Sequence, residues 1–121
     1  IITYGEHGGR FTWKDHLFPL TAWNDRLLIP LPGVGSLYPL YRSLFGNIQD
    51  VAHPTYRAMA VRLRLLLEQY PGTIYAAGHE HTLQLSQRDS VAYVVSGSGA
   101  KTSAVAHGQY ARFVSPRQGY V

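Results

Sequence analysis

The 121-residue sequence contains no cysteine. Disulfide frameworks and thiolate metal sites are therefore excluded, and any metal must sit on His, Asp, Asn or Glu. Charge is scarce as well, at 15% of residues against 45% hydrophobic. That balance excludes a disordered polar tail and a Glu/Lys-rich helical array, and implies one domain packed around a sheet or a mixed core. A long unbroken apolar run is also missing. Residues 27–45 come nearest, but Pro30, Pro32 and Pro39 interrupt them and Arg42 lies inside, so no transmembrane helix is expected there. No internal repeat or low-complexity segment is evident. The chain opens on Ile1 without Met or a basic-then-apolar leader. Either a leader was removed or the N-terminal part of a longer protein lies upstream, and the motifs below favour the second expectation.

What charge there is runs positive, with eleven Lys and Arg against seven Asp and Glu and a formal net charge of +4. Only Lys14 and Lys101 are lysines; the other cations are arginines, whose planar fork suits phosphate oxygens. The surplus favours an anionic partner such as a phosphate ester. It is scattered along the chain and gives no clear nucleic-acid signature.

Ile1 to Tyr4 is β-prone and runs into Gly5-Glu6-His7-Gly8-Gly9, a loop whose glycines allow another group to approach the backbone closely. Residues from about 11 to 52 are rich in Pro, Gly and aromatic side chains and hold neither a period of 2 nor one of 3.6. They are expected to form an irregular, packed insertion. His53-Pro54-Thr55 opens a helix in which Tyr56, Met59, Ala60, Leu63, Leu66, Leu67 and Tyr70 share one face, and Pro71-Gly72 ends it. A strand is expected at 73–77, a β-hairpin at 83–86 and 91–95, and a further strand at 110–114. Tyr120-Val121 resembles the start of another strand.

His79 and His81 are the candidate metal ligands. Imidazoles two residues apart at a strand exit project from one side of the backbone, while Glu80 between them is expected to face away. The competing reading is two surface histidines on a turn. His53 is better placed to start the helix than to bind metal, and His16 and His107 carry little signal. Lys101-Thr102-Ser103 after Gly-Ser-Gly has the composition of a phosphate cradle without the Walker spacing, so an ordinary loop is expected.

Gly78-His79-Glu80-His81-Thr82-Leu83-Gln84 resembles the late motif of the calcineurin-like metallophosphoesterases, most of all their purple (tartrate-resistant) acid phosphatase branch, where Gly-His-Asp-His-Asn-Leu-Gln stands. Tyr93-Val94-Val95-Ser96-Gly97-Ser98-Gly99, Gln109-Tyr110-Ala111-Arg112-Phe113 and Glu6-His7-Gly8 resemble further segments of that branch. The resemblance implies an α/β fold, the C-terminal part of a metallophosphoesterase β-sandwich with two sheets flanked by helices. It implies hydrolysis of phosphate esters by metal-activated hydroxide at a dinuclear centre of Fe, Mn or Zn, with His79 on one metal and His81 on the other. His7 would be catalytic, bonding the substrate phosphate or protonating the leaving oxygen.

The family's Asp-x-His, Gly-Asp, Gly-Asn-His and the His ahead of Glu-His-Gly are not in these residues, and Gly46-Asn47-Ile48 lacks the required His. The resemblance therefore implies that an N-terminal remainder of the same domain supplies the other ligands and that this chain alone is inactive. A secreted, periplasmic or envelope setting is typical of such relatives. The alternative is a non-catalytic binding or structural module retaining the fold. The insertion departs from the small acid phosphatases and has two readings: a lid over substrate, or an apolar surface for a partner or membrane. Exposure of Trp13, Trp23, Tyr38 and Tyr41 separates them.

Overall fold

Val91–Ser96 (β3) buries Val91, Tyr93 and Val95 on alternate positions, the period of a strand whose one face is packed. In the computed structural model, which describes residues 1–24 and 26–120, β3 lies inside a four-stranded sheet. The other strands are Ile74–Ala77 (β1), Leu83–Arg88 (β2) and Ala111–Ser115 (β4), in the order β1-β3-β2-β4. β1 runs parallel to β3, and β2 is antiparallel to both β3 and β4, with an irregularity in the β2–β4 register between Leu85 and Ser86. Together with the helices this is a mixed α/β architecture.

The expected hairpin is present and longer than its apolar residues suggested. Pairing continues from Leu83↔Ser96 to Arg88↔Val91, which leaves only Asp89 and Ser90 as the turn. Asp89 takes a positive φ of 52°, a conformation that Asp tolerates better than most residues.

Pro54–Leu67 (α3) forms where the apolar spacing placed a helix. His53 caps it, with Nδ1 accepting from the Thr55 N–H at 3.3 Å, and Pro54 occupies the first turn, where its missing N–H costs nothing. Its apolar face is only partly covered. Ala60 is buried and Tyr56, Leu63 and Leu67 are half-buried, whereas Met59 and Leu66 are exposed. Tyr70 lies beyond the helix and is exposed.

The insertion is more regular than its sequence suggested. It contains Trp13–Leu17 (α1), Leu37–Leu44 (α2) and single 3-10 turns at Pro19–Ala22 and Val34–Ser36. Asp15 accepts from the Thr12 N–H at 2.5 Å and from its hydroxyl at 2.8 Å, which starts α1. Pro39 sits in the first turn of α2, where no intrahelical donor is needed, so the proline that breaks the sequence pattern does not break the helix. Helices this short carry too few turns to print a period. The helix is also inverted: Pro39 and Arg42 are buried, while Leu37, Leu40, Tyr41 and Leu44 are exposed.

Two strand expectations at the ends are corrected. Ile1 to Tyr4 is not a strand; the Tyr4 N–H donates to the Gln84 side chain at 3.0 Å, and the Tyr4 hydroxyl accepts from the Tyr110 N–H at 2.9 Å. These side-chain bonds and one backbone bond, from the Ala106 N–H to Tyr4 O at 3.0 Å, hold this segment in place of a ladder. Tyr120 is likewise outside any strand, and Val121 lies outside the described residues.

Candidate imidazole site

β3 lies between β1 and β2, so the connection from β1 to β2, residues 78–82, must pass across the end of β3. The chain passes against Gly97, where any Cβ would collide with the Glu80 carbonyl, and Gly97 donates its N–H to Thr82 O at 3.2 Å. Only glycine permits that approach. The crossing is made of tight turns, with Glu80 N–H donating to Gly78 O at 3.0 Å and Thr82 N–H to Glu80 O at 2.8 Å. His79 adopts a positive φ of 73°.

Because this segment turns instead of extending, the alternation that set Glu80 on the side opposite the imidazoles does not apply, and Glu80 lines the same cavity as His79. Glu80 is 5% exposed and His79 is exposed. The Glu80 carboxylate accepts from the Thr3 hydroxyl at 3.0 Å, the Glu6 N–H at 2.9 Å and the His7 N–H at 3.2 Å. It lies so close to Gly5 that a side chain there would overlap it. The glycine loop is thus a receptor for Glu80, and these bonds fasten the 3-10 turn Glu6–Gly8 beside the His-x-His segment.

The result is a ring stack between His7 and His79, with centroids 4.8 Å apart and planes 22° from parallel. Two adjacent residues at the end of the insertion secure both rings. Gln49 Oε1 lies 3.0 Å from His79 Nε2, and Asp50 Oδ1 lies 2.8 Å from His7 Nδ1. The Val51 N–H also donates to His7 O at 2.9 Å.

Asp50 is itself held by buried Arg42, whose Nε and Nη2 donate to the two carboxylate oxygens at 2.9 and 2.6 Å. Arg42 Nη1 donates in turn to Glu6 Oε1 at 2.5 Å. Burial pushes the Asp50 carboxyl up, but bonds from Arg42, the Asn47 N–H and His7 outweigh it and hold the group below the usual carboxylate value. The Asp50 hydrogen bond, ahead of the opposing burial, raises the Arg42 guanidinium further above its already high value. Asp50 is therefore an ionised acceptor. His7 Nδ1 must carry the proton it shares with Asp50, which leaves Nε2 as the nitrogen for a ligand.

His7, His79, Gln49, Tyr56 and Tyr75 line one cavity of about 460 Å³. Burial, then the nearby Tyr75 and Glu80, raises the Tyr56 hydroxyl, so it remains a neutral donor. His81 is not among the lining residues. It is half-buried, its carbonyl accepts from the Ser103 N–H at 2.8 Å, and among the described residues its imidazole makes no hydrogen bond. The structure thus joins His7 to His79 and sets His81 apart from that cavity.

As metal donors, the imidazoles of His79 and His81 are of the right kind, and among the described residues neither forms an ion pair, although His79 Nε2 is bonded to Gln49. The nearby carboxylates are engaged, Glu80 by the loop and Asp50 by Arg42 and His7. Among the described residues no three His, Asp or Glu form a group that could hold an ion. By donor type, though not by a shared cavity, the two imidazoles suit a ligand set.

Compared with models of known protein families, with curated proteins and with solved structures, the chain matches none.

Sequence reasoning did not single out Gln49, Asp50 or Arg42 for the site. Arg42 left one signal: a lone charge within an apolar stretch is either a break in that stretch or a buried ion pair, and here it is the pair. Of the other histidines, His53 is the helix cap, and His107 is exposed.

Proposed function

We propose that these residues are the C-terminal part of a dinuclear-metal phosphoesterase that hydrolyses phosphate esters. The observation that carries this reading is the contact of His7 with His79. It unites Glu6-His7-Gly8 with Gly78-His79-Glu80-His81, the two segments whose resemblance to the metallophosphoesterases implies a shared active site.

In this reading His79 and His81 would hold the two metals together with ligands from an N-terminal remainder of the domain. Bound metals would supply Lewis acidity toward the phosphoryl oxygens and the attacking water. His7 directs Nε2 to the ester, donates a hydrogen bond there in its protonated form, and passes that proton to the leaving oxygen. Asp50 keeps the ring oriented through its bond to Nδ1. Tyr56 offers a neutral hydroxyl to the same cavity.

The larger sandwich is part of the same proposal. Met59, Leu65 and Leu66 on α3 and Ile74 on the edge strand β1 are all about half exposed or more, an apolar surface that a second layer would bury. Of the two readings of the insertion, the exposure of Trp13, Trp23, Tyr38 and Tyr41 supports a surface for a partner or membrane face, with the outward residues of α2 alongside. Trp23 and Tyr38 also line a cleft, but His7, His79 and His81 do not, so it lends no support to a lid over the phosphate ester. Among the described residues no helix is long and apolar enough to cross a membrane.

Nitrophenyl phosphate hydrolysis by the intact protein with added Fe, Mn or Zn tests the reading. His79→Ala and His81→Ala should each lower activity on the order of 100-fold or more, since even residues behind the ligands often cost that much. Full activity in either variant would refute it, and no activity in the unmodified protein would favour the non-catalytic module.

A further inference from the structure

A second cavity, of about 700 Å³, is lined by Glu6 and Arg42 but not by His7, His79 or His81. The insertion forms most of it, and Lys101, Thr102 and Ser103 from the loop after β3 close it. Its size falls within the range of small-molecule sites. The loop is anchored by the Ser103 N–H on the His81 carbonyl, so the segment whose composition suggested a phosphate cradle faces the insertion instead of an unrelated surface.

Among the described residues, the charges lining this cleft are unbalanced. Arg10, Arg26, Arg42 and Lys101 line it, against Glu6 and Asp15. Glu6 pairs with Arg42, and Asp15 accepts from Thr12 at the start of α1. Arg10, Arg26 and Lys101 form no ion pair among the described residues. Three cations converging from chain segments far apart, with Thr and Ser hydroxyls beside them, make a field and a donor set for phosphate oxygens. Ring faces are present too. The Arg42 guanidinium covers Phe11 at 5.3 Å, but Trp23 is 87% exposed and Tyr38 is 40% exposed, so these two rings are open to a flat ligand.

We propose that this cleft is a second ligand site, for a small phosphorylated molecule carrying a planar ring. Arg10, Arg26 and Lys101 bind its phosphate oxygens, and Trp23 and Tyr38 pack against the ring. The site needs neither metal nor hydrolysis, so it stands apart from the phosphoesterase reading.

Calorimetric titration of the intact protein in EDTA, with ADP, pyrophosphate and adenosine in turn, tests the proposal without any contribution from a metal. ADP should bind more tightly than adenosine. The double substitution Arg10→Ala/Lys101→Ala should weaken ADP at least about tenfold, as expected for loss of two charged phosphate contacts. Trp23→Ala should weaken ADP about fivefold or more through lost stacking and leave pyrophosphate unchanged. These side chains are exposed, so the variants should keep their fold, and an unchanged thermal midpoint checks this. His79→Ala should leave ADP affinity unchanged. No ADP binding at millimolar concentration, insensitivity to Arg10→Ala/Lys101→Ala, equal loss of pyrophosphate on Trp23→Ala, or loss of ADP on His79→Ala would each overturn the proposal.

Discussion

His7 stacks on His79, and the rings are held from behind by neighbours in sequence, Asp50 on His7 and Gln49 on His79. One short stretch at the end of the insertion therefore sets the orientation of both imidazoles. The insertion is part of the site's support, not an appendage to it.

Asp50 acts on chemistry only through His7, so Asp50→Asn should lower kcat while leaving KM nearly unchanged. The expected loss is about 10- to 100-fold, the usual effect of removing a carboxylate behind a functional histidine. Steady-state kinetics on nitrophenyl phosphate measures the split. A change confined to KM would contradict the positioning role.

The same carboxylate makes stability depend on pH in a stated direction. Its folded-state pKa lies below the ordinary value, because the bonds from Arg42, Asn47 and His7 outweigh burial. Its contribution is then complete above about pH 4 and is lost as pH falls through the folded value. The unfolding free energy of the unmodified protein should decline over that acid range more steeply than that of Asp50→Asn. Parallel curves from urea titrations at each pH would contradict this.

Arg42 is the only partner among the described residues that meets both Asp50 oxygens as a fork, and both side chains are almost fully buried. Arg42→Met keeps much of the volume but strands the Asp50 charge. A loss of about 3 kcal/mol is expected, the usual cost of breaking one side of a buried pair. Chemical denaturation reads this, and Arg42→Met/Asp50→Asn should recover part of the loss.

Glu80→Gln removes the charge and one acceptor from a carboxylate that serves three donors on the Thr3–His7 segment. About 1–3 kcal/mol should be lost, the cost of leaving a buried donor without its partner. The upfield ring-current shifts of the His7 and His79 protons should shrink at the same time. Destabilisation with those shifts intact would show that Glu80 does not set the stack.

Much of the scaffold was legible in the residues because its causes are local. The apolar spacing from Tyr56 to Leu67, the Pro54 start and the Val91-Tyr93-Val95 alternation each express a period that belongs to one element. The insertion was less legible, since α1 and α2 are too short to show a period and Pro39 masked a helix it does not disrupt. The direction of Glu80 was misread for a related reason. Its alternation assumed an extended segment, and the strand order forces that segment to turn across β3.

By itself the sequence determined the four strands of the sheet, the long helix, the glycine loop and the candidacy of His7, His79 and His81. Only the tertiary structure decided that His7 meets His79, that His81 stands outside their cavity, and that Glu80, Asp50 and Arg42 are spent on holding the site together. The division has a physical cause. Backbone periodicity is set by neighbours along the chain, whereas a buried charge is tolerable only where distant segments bring it a partner.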